Sequence, residues 1–313
     1  MRAIVLLNAD AGTLSAMGAV DAQLRIERGF ARAGGTVFVR FAKGPDLERA
    51  AREASRAPEA DVVIAGGGDG TLNTVAGIVA SGDKAFGVLP LGTHNHFAKD
   101  LGVPLELDEA VAALARGRVT EMPVAEVNGR LFLNFSAIGL HPEVIREREA
   151  QRDESGRGKW PAMFVAVLRK LKDLPSQRVT LSARGRTVAR RTPSVIICNN
   201  PHQMKVFGVE NASVPERGLL NVYVATRSKR RAVISLMLRA VAGALHPTTP
   251  NFEAMALPEV RIDSLRRHLP VSIDGEVMDM RPPLRYRIRS RPLKVLVPQE
   301  EPAEQAAAVK AAS

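Results

Sequence analysis

The sequence predicts an N-terminal doubly wound α/β nucleotide-binding domain followed by a domain that is mostly antiparallel β. Three observations carry this. A strand, a glycine loop and a helix follow one another over residues 61–73. Strand-like and helix-like segments alternate through the first 120 residues, the pattern of a parallel sheet covered by helices on both faces. Near residue 120 the helical periodicity gives way to short apolar runs separated by turn signals.

Residues 61–73 read Asp-Val-Val-Ile-Ala-Gly-Gly-Gly-Asp-Gly-Thr-Leu-Asn. The run Val62–Ala65 has strand character and stops at Gly66, Gly67 and Gly68. After Asp69, Gly70 and Thr71, apolar residues recur at helical spacing (Leu72, Val75, Ala76, Val79). Residues without side chains let a phosphate reach backbone N–H groups, and a helix N-terminus adds partial positive charge. An acid inside the loop would repel bare phosphate, so Asp69 points to a divalent cation or a reacting hydroxyl there. The competing explanation is a βα turn whose glycines only allow close packing.

In chain order, Ile4–Leu7 is the first strand, ending in Asn8-Ala-Asp-Ala-Gly12, and a helix is expected over 16–33. Gly34-Gly35 ends it, and Thr36–Phe41 is the second strand. Pro45 and Asp46 open the next helix. After the glycine loop and its helix comes a strand at Phe86–Leu89, then Pro90-Leu-Gly-Thr-His-Asn95 and a helix over 107–115. The loops Asn8–Gly12, Gly66–Thr71 and Leu91–Asn95 each follow a strand, so all three converge at the carboxyl edge of the sheet, where such folds bind ligands. In the second half, Asn128-Gly129 and Arg184-Gly185 mark hairpins. Further strands are read at 195–198, 219–225, 259–263, 271–273 and 284–288, and Asn134–Gly139 is read as a loop. Two basic, amphipathic segments, 160–174 and 227–245, suit either a membrane surface or packing on the sheet. The end, from residue 299, is low in complexity and reads as a disordered tail.

The 313 residues suit two domains, each able to bury a core. No tract approaches the ~20 apolar residues of a membrane span. The N-terminus reads as a strand rather than a signal peptide. A single cysteine, Cys198, rules out an internal disulfide and a cysteine-based zinc site, and a cytoplasmic location is the expectation. The net charge of +11 fits an anionic membrane surface, nucleic acid or acidic small molecules. Aromatic content of 4% disfavours base stacking, and no nucleic-acid module is present, so membrane ranks above nucleic acid.

Taken together, Asn8-Ala-Asp-Ala-Gly12, Gly67-Gly-Asp-Gly-Thr71, Pro90-Leu-Gly-Thr-His-Asn95 and Asp274-Gly-Glu276 resemble the diacylglycerol kinase catalytic-domain family, the soluble bacterial lipid kinases related to sphingosine and ceramide kinases. The glycine loop is shared with NAD kinases and phosphofructokinases; the second loop and the late Asp-Gly-Glu are more specific. The resemblance implies an ATP-binding domain over 1–122, rejoined by a last strand within 291–298, and a β-sandwich domain over 123–290 that supplies the lipid pocket. It implies ATP and Mg²⁺ as cofactors, a lipid acceptor, and a cytoplasmic protein held peripherally at the inner face of an anionic membrane; a homodimer is compatible with it. By the same resemblance Gly66, Gly67, Gly68, Gly70, Thr71 and Asn73 cradle phosphates, Thr93 and Asn95 complete the nucleotide site, and Asn8 and Gly12 stand at its edge. Asp69 organises Mg²⁺ through water. Glu276, with Asp274 beside it, takes the proton from the lipid hydroxyl, since phosphoryl transfer needs positioning, charge neutralisation and a carboxylate near the attacking oxygen.

The chain departs from that family at three places. His96 stands where many relatives carry an aspartate of the metal–water network, and imidazole is a poor Mg²⁺ ligand. A zinc site on His94 and His96 lacks further ligands. Arg217 stands where relatives carry the aspartate of a structural Mg²⁺, so that ion is expected to be absent. Arg40 lies about where relatives use a threonine at the nucleotide edge. Three readings therefore compete with a diacylglycerol-type kinase: a catalytically impaired lipid- or nucleotide-binding regulator, a sphingoid-base kinase, and an NAD kinase.

Overall fold

A computed structural model of the chain describes residues 1–93, 95–146, 177–183, 185–199, 218–226, 230–241 and 249–299. The expectations for His94, the helix at 160–174, Arg184, Arg217 and the tail from 300 lie outside them. The chain divides into two compact units, one of Met1–Met122 with the segment from Leu293 onward, the other Pro123–Pro292.

The first unit is a six-stranded sheet in the order β2-β1-β3-β4-β18-β5. Its strands are β1 (Arg2–Asn8), β2 (Thr36–Ala42), β3 (Val62–Gly66), β4 (Ala85–Leu89), β5 (Arg118–Met122) and β18 (Leu293–Val297). Pairing is parallel from β2 through β18, and only β5 runs antiparallel to its neighbour. β3 and β4 are buried throughout, as their runs without a polar residue require of central parallel strands. Helix α2 (Ala19–Arg32) packs on α6 (Leu107–Ala115), and α3 (Pro45–Arg56) on α4 (Asp69–Val79). Ile26 and Phe30 of α2, Leu47 of α3 and Leu72, Val75 and Val79 of α4 are fully or almost fully buried. Each contributes roughly 1.5–3 kcal/mol of hydrophobic stabilisation.

The structure splits the single helix expected over 16–33. A short α1 (Gly12–Met17) ends at Gly18, whose φ of 95° no helical residue can hold, and α2 begins beyond it. Strand β5 went unread because its burial alternates weakly on a sheet edge.

The second unit is a sandwich of two antiparallel sheets. One has the order β10-β9-β14-β17-β6-β7, the other β13-β12-β11-β8-β15-β16. The first contains β6 (Ala125–Val127), β7 (Arg130–Phe132), β9 (Gln177–Ala183), β10 (Arg186–Thr192), β14 (Glu259–Ser264) and β17 (Leu284–Ile288). The second contains β8 (Phe135–Gly139), β11 (Ser194–Cys198), β12 (Leu220–Ala225), β13 (Phe252–Leu257), β15 (Leu269–Ile273) and β16 (Glu276–Met280). Inward residues of both sheets form one core, with Val127, Phe132, Val179, Ile262 and Tyr286 from the first and Ile138, Ile197, Val222 and Val271 from the second. Such alternation is the mark of a sandwich. The Tyr286 hydroxyl is buried and hydrogen-bonds the Ser136 hydroxyl at 3.1 Å; burial raises its pKa.

Asn134–Gly139, read from sequence as a loop, is instead largely strand β8, which pairs with β11 and β15. Its run Phe-Ser-Ala-Ile-Gly hides the alternation by placing small residues on one face. Residues 140–146 are helical, and the His141 ring meets Phe135 edge-on at 5.2 Å between centroids. Helix α7 (Arg230–Val241) falls within the basic segment 227–245, with Val233 buried and Leu236 packed against Tyr223 and Cys198.

Candidate functional site

In the first unit, Leu7, Gly66 and Leu89 are register partners across β1, β3 and β4. The loops that start at Asn8, Gly67 and Pro90 therefore leave the sheet side by side. Asn8 closes its own turn, its Oδ1 accepting the Asp10 N–H at 3.0 Å, while its Nδ2 donates to Thr71 Oγ1 at 2.8 Å. That bond fastens the loop after β1 to the first turn of α4.

The loop after β4 is closed by Asn95, whose backbone is left-handed at φ 51°. Its Oδ1 accepts the Gly92 N–H at 2.9 Å and its Nδ2 donates to the Pro90 carbonyl at 3.2 Å. The short polar side chain of asparagine tolerates this backbone and completes the loop locally.

Gly92 in turn lies against the glycine loop. A Cβ added there would sit 2.7 Å from Gly68 Cα and 2.9 Å from the Gly67 carbonyl oxygen. A Cβ at Gly67 would come within 2.8 Å of the Thr71 side chain. At Gly68 the situation is opposite: an added Cβ would meet nothing within 4 Å. Gly68 is the residue that precedes α4, so open space lies at an eleven-residue helix's N-terminus. Packed glycines thus stand on one side of that terminus and an open one on the other, and backbone without side chains at a helix N-terminus is accessible to an anion.

Asp69, Gly70, Thr71 and Asn73 occupy the first turns of α4; Thr71 is buried, the other three partly so. Gly12 opens α1 and is exposed, as is Thr93. His96 is the first residue of α5 (His96–Asp100), a short helix buried through Phe97 and Ala98. Arg40 lies on β2, with its guanidinium 2.9 Å from Glu53 and 5.3 Å over the Phe38 ring. With Lys43, Asp46 and Arg49 it lines an open cavity of about 500 Å³ beside Ala9. Among the described residues, no group of three or more His, Cys, Asp and Glu side chains could hold a metal ion. One carboxylate suffices where substrate phosphates and water supply the other ligands, which is the usual binding mode of Mg²⁺.

In the second unit, Asp274 and Gly275 form the two-residue connection between β15 and β16, with Ile273 paired to Glu276. Their φ values of 46° and 94° are those of a type I′ turn. Asp274 is buried, unlike an ordinary turn aspartate. Its Oδ2 accepts the Leu133 N–H at 2.7 Å, and its Oδ1 accepts those of Asn134 and Phe135 at 2.8 and 2.9 Å. Its own N–H donates to the Phe135 carbonyl at 3.0 Å. The carboxylate thus ties the hairpin to the segment joining β7 and β8, a positioning role that spacing did not reveal. Glu276, the first residue of β16, is exposed.

Fold and loops together define a protein of the NAD kinase and diacylglycerol kinase type, an α/β unit with a parallel sheet joined to an antiparallel sandwich. The family model described as diacylglycerol kinase catalytic domain matches residues 2–127, and that described as YegS C-terminal NAD kinase beta sandwich-like domain matches residues 139–297. The chain belongs to the diacylglycerol kinase catalytic-domain family. A "Probable lipid kinase YegS-like" from Pseudomonas aeruginosa is 41% identical over 145 residues, covering 45% of this chain and 45% of that one. A protein of the same name from Pectobacterium atrosepticum is 38% identical over 111 residues, 34% of this chain and 37% of its own. The chain thus matches less than half the length of these relatives. A solved structure from Bacillus anthracis strain Sterne superimposes with a TM-score of 0.75 at 20% identity, covering 96% of each chain. Another from that organism, of a diacylglycerol kinase, gives 0.69 at 18%, covering 96% of this chain and 97% of that one. At such identities these two establish fold alone.

Proposed function

We propose that this chain is an ATP-dependent lipid kinase that phosphorylates a hydroxyl of diacylglycerol or a related lipid. The observation that carries the reading is the cradle at α4. Gly92 packs on Gly67 and Gly68, Asn95 and the Asn8–Thr71 bond hold the neighbouring loops, and Gly68 faces open space. The relatives' names point the same way.

In this reading the backbone N–H groups at the start of α4 bind the nucleotide's phosphates, and Thr71 and Asn95 keep the flanking loops in place. Asp69 is the residue that would hold Mg²⁺ through water; when bound, the ion neutralises charge on the transferring phosphoryl group. The lipid hydroxyl oxygen forms the new bond to the γ-phosphorus, the bond from that phosphorus to the β-bridging oxygen breaks, and ADP leaves. Glu276 accepts the hydroxyl proton. Asp274, saturated by three backbone donors, sets the hairpin from which Glu276 projects. The net charge of +11 favours work at an anionic membrane surface. Among the described residues no helix is long and apolar enough to cross one.

The test is turnover of labelled ATP with diacylglycerol, sphingoid base and NAD as separate acceptors, the lipids in mixed micelles. Lipid phosphorylation that collapses by at least a hundredfold in Glu276→Gln supports the proposal. NADP formation would reassign the chain as an NAD kinase. ATP binding without turnover on any acceptor would favour a regulator, the reading that His96 suggests.

A further inference from the structure

The catalytic reading leaves open which surface meets the bilayer. The connection between β14 and β15 is the four-residue stretch Leu265-Arg266-Arg267-His268, and all four are exposed. Leu265 is 90% exposed, more than any other large apolar side chain among the described residues; Val20 follows at 73%. Lone apolar residues on a surface are ordinary. Leu265 differs in what surrounds it.

Arg266 and Arg267 follow it directly, and neither forms an ion pair among the described residues. The Arg281 side chain reaches the same loop, donating from Nε to His268 Nε2 at 3.2 Å. Arg178 is exposed and precedes Val179, the register partner of Ser264. It therefore lies across from Leu265 on the neighbouring strand. The nearby acids are engaged: Asp263 accepts two bonds from Arg261, each 2.9 Å, and Asp279 pairs with Arg146 at 2.9 Å. The result is a protruding leucine within a group of four arginines.

We propose that Leu265–His268 is a bilayer-docking tip, with Leu265 entering the interface and Arg178, Arg266, Arg267 and Arg281 binding anionic lipid headgroups. An apolar side chain gains nothing from a soluble polyanion but is buried by the boundary between headgroups and acyl chains. Cations near such a surface each favour binding by roughly fivefold. The tip and Glu276 lie at opposite ends of β15, roughly 15 Å apart at the rise of a strand, so docking and proton transfer are separable by mutation.

The experiment is sedimentation of the full chain with phosphatidylcholine vesicles containing or lacking phosphatidylserine, with no turnover required. A failed kinase assay therefore leaves this result standing, and the converse. Binding is expected to need the anionic lipid, to fall roughly 25-fold in Arg266→Gln/Arg267→Gln, and to fall severalfold in Leu265→Gln. A polarity-sensitive dye on Leu265→Cys should shift to the blue on anionic vesicles. Labelling is selective because Cys198 is fully buried, and that burial raises its thiol pKa. Equal binding to both vesicle types, or vesicle binding without the dye shift, overturns the proposal. So does loss in the arginine variant alone with an oligonucleotide competing at equal affinity, which would mark a general polyanion site.

Discussion

Both units place a polar residue with a left-handed backbone at a loop tip, and they use it over very different spans. In the first unit the Asn95 side chain bonds Gly92 and Pro90, within its own loop, so the loop after β4 is closed from within. In the second, Asp274 bonds Leu133, Asn134 and Phe135, some 140 residues away in the chain. Asn128, in the other type I′ turn, does likewise: its Oδ1 accepts the Arg285 N–H at 2.8 Å and its Nδ2 donates to the Pro283 carbonyl at 3.1 Å. The difference follows from topology. Parallel strands deliver their loops to one edge already in register, so the loop after β4 closes locally and the tie between loops, Asn8 to Thr71, joins side chains already brought together by the sheet. An antiparallel sandwich folded from distant segments needs side chains that reach between them.

The sharpest way to break this contrast is Asp274→Ala. It strands three backbone donors, two of them buried, and should cost about 3–5 kcal/mol in urea unfolding. A loss below about 1 kcal/mol would mean the long-range tie is dispensable. Gly92→Ala comes next. Its Cβ would meet backbone atoms at 2.7 and 2.9 Å, which cannot rotate away, so a cost of about 1–3 kcal/mol and a fall in nucleotide affinity are expected. Asn95→Ala should cost about 1–2 kcal/mol, and Asn95→Gly should recover the backbone part but not the two bonds. If Asn95→Ala equals Asp274→Ala, local and long-range closure are worth the same and the contrast fails.

The smallest effect belongs to a tie at the other edge of the first unit. Arg2 hydrogen-bonds Asp61 at 2.6 Å and holds its carboxyl below the ordinary range, the side-chain bond being the main cause. A depressed carboxyl contributes stability above its unfolded pKa and loses it as the pH falls through the folded value. The Tm of Asp61→Asn should therefore trail the parent slightly at pH 7 and converge with it in acid. Both groups are exposed, so salt should shrink the difference.

Much of the first unit was legible because its signals are local. Glycines after an apolar run, proline at a helix start and the order of strands and helices are all readable within a dozen residues. The loop convergence followed from parallel topology. What escaped was relational. Nothing in Pro90-Leu-Gly-Thr announces that Gly92 touches the backbone of Gly67 and Gly68. In the second unit the turn at Asn128-Gly129 was visible, since two positive φ values demand such a pair. The burial of Asp274 was not, because its partners Leu133–Phe135 lie some 140 residues earlier in the chain and reach it only through the pairing of β8 with β15. Strand β8 was misread because Ala137 and Gly139 carry too little side chain to mark a face.

Strand β18 carries a consequence for the chain as a whole. It lies between β4 and β5, and Leu293 is the register partner of Met122 across the β18–β5 pair. The two points where the chain leaves and re-enters the first sheet are therefore neighbours. In genetic terms, residues 123–292 stand where a hairpin loop would otherwise be. The first unit is not a prefix of the polypeptide: translation must run through the whole sandwich before an interior strand of the first sheet becomes available. A stop codon after 292 would leave a gap in the middle of that sheet, whereas an in-frame deletion of the insert would leave its ends close enough for a two-residue turn to join.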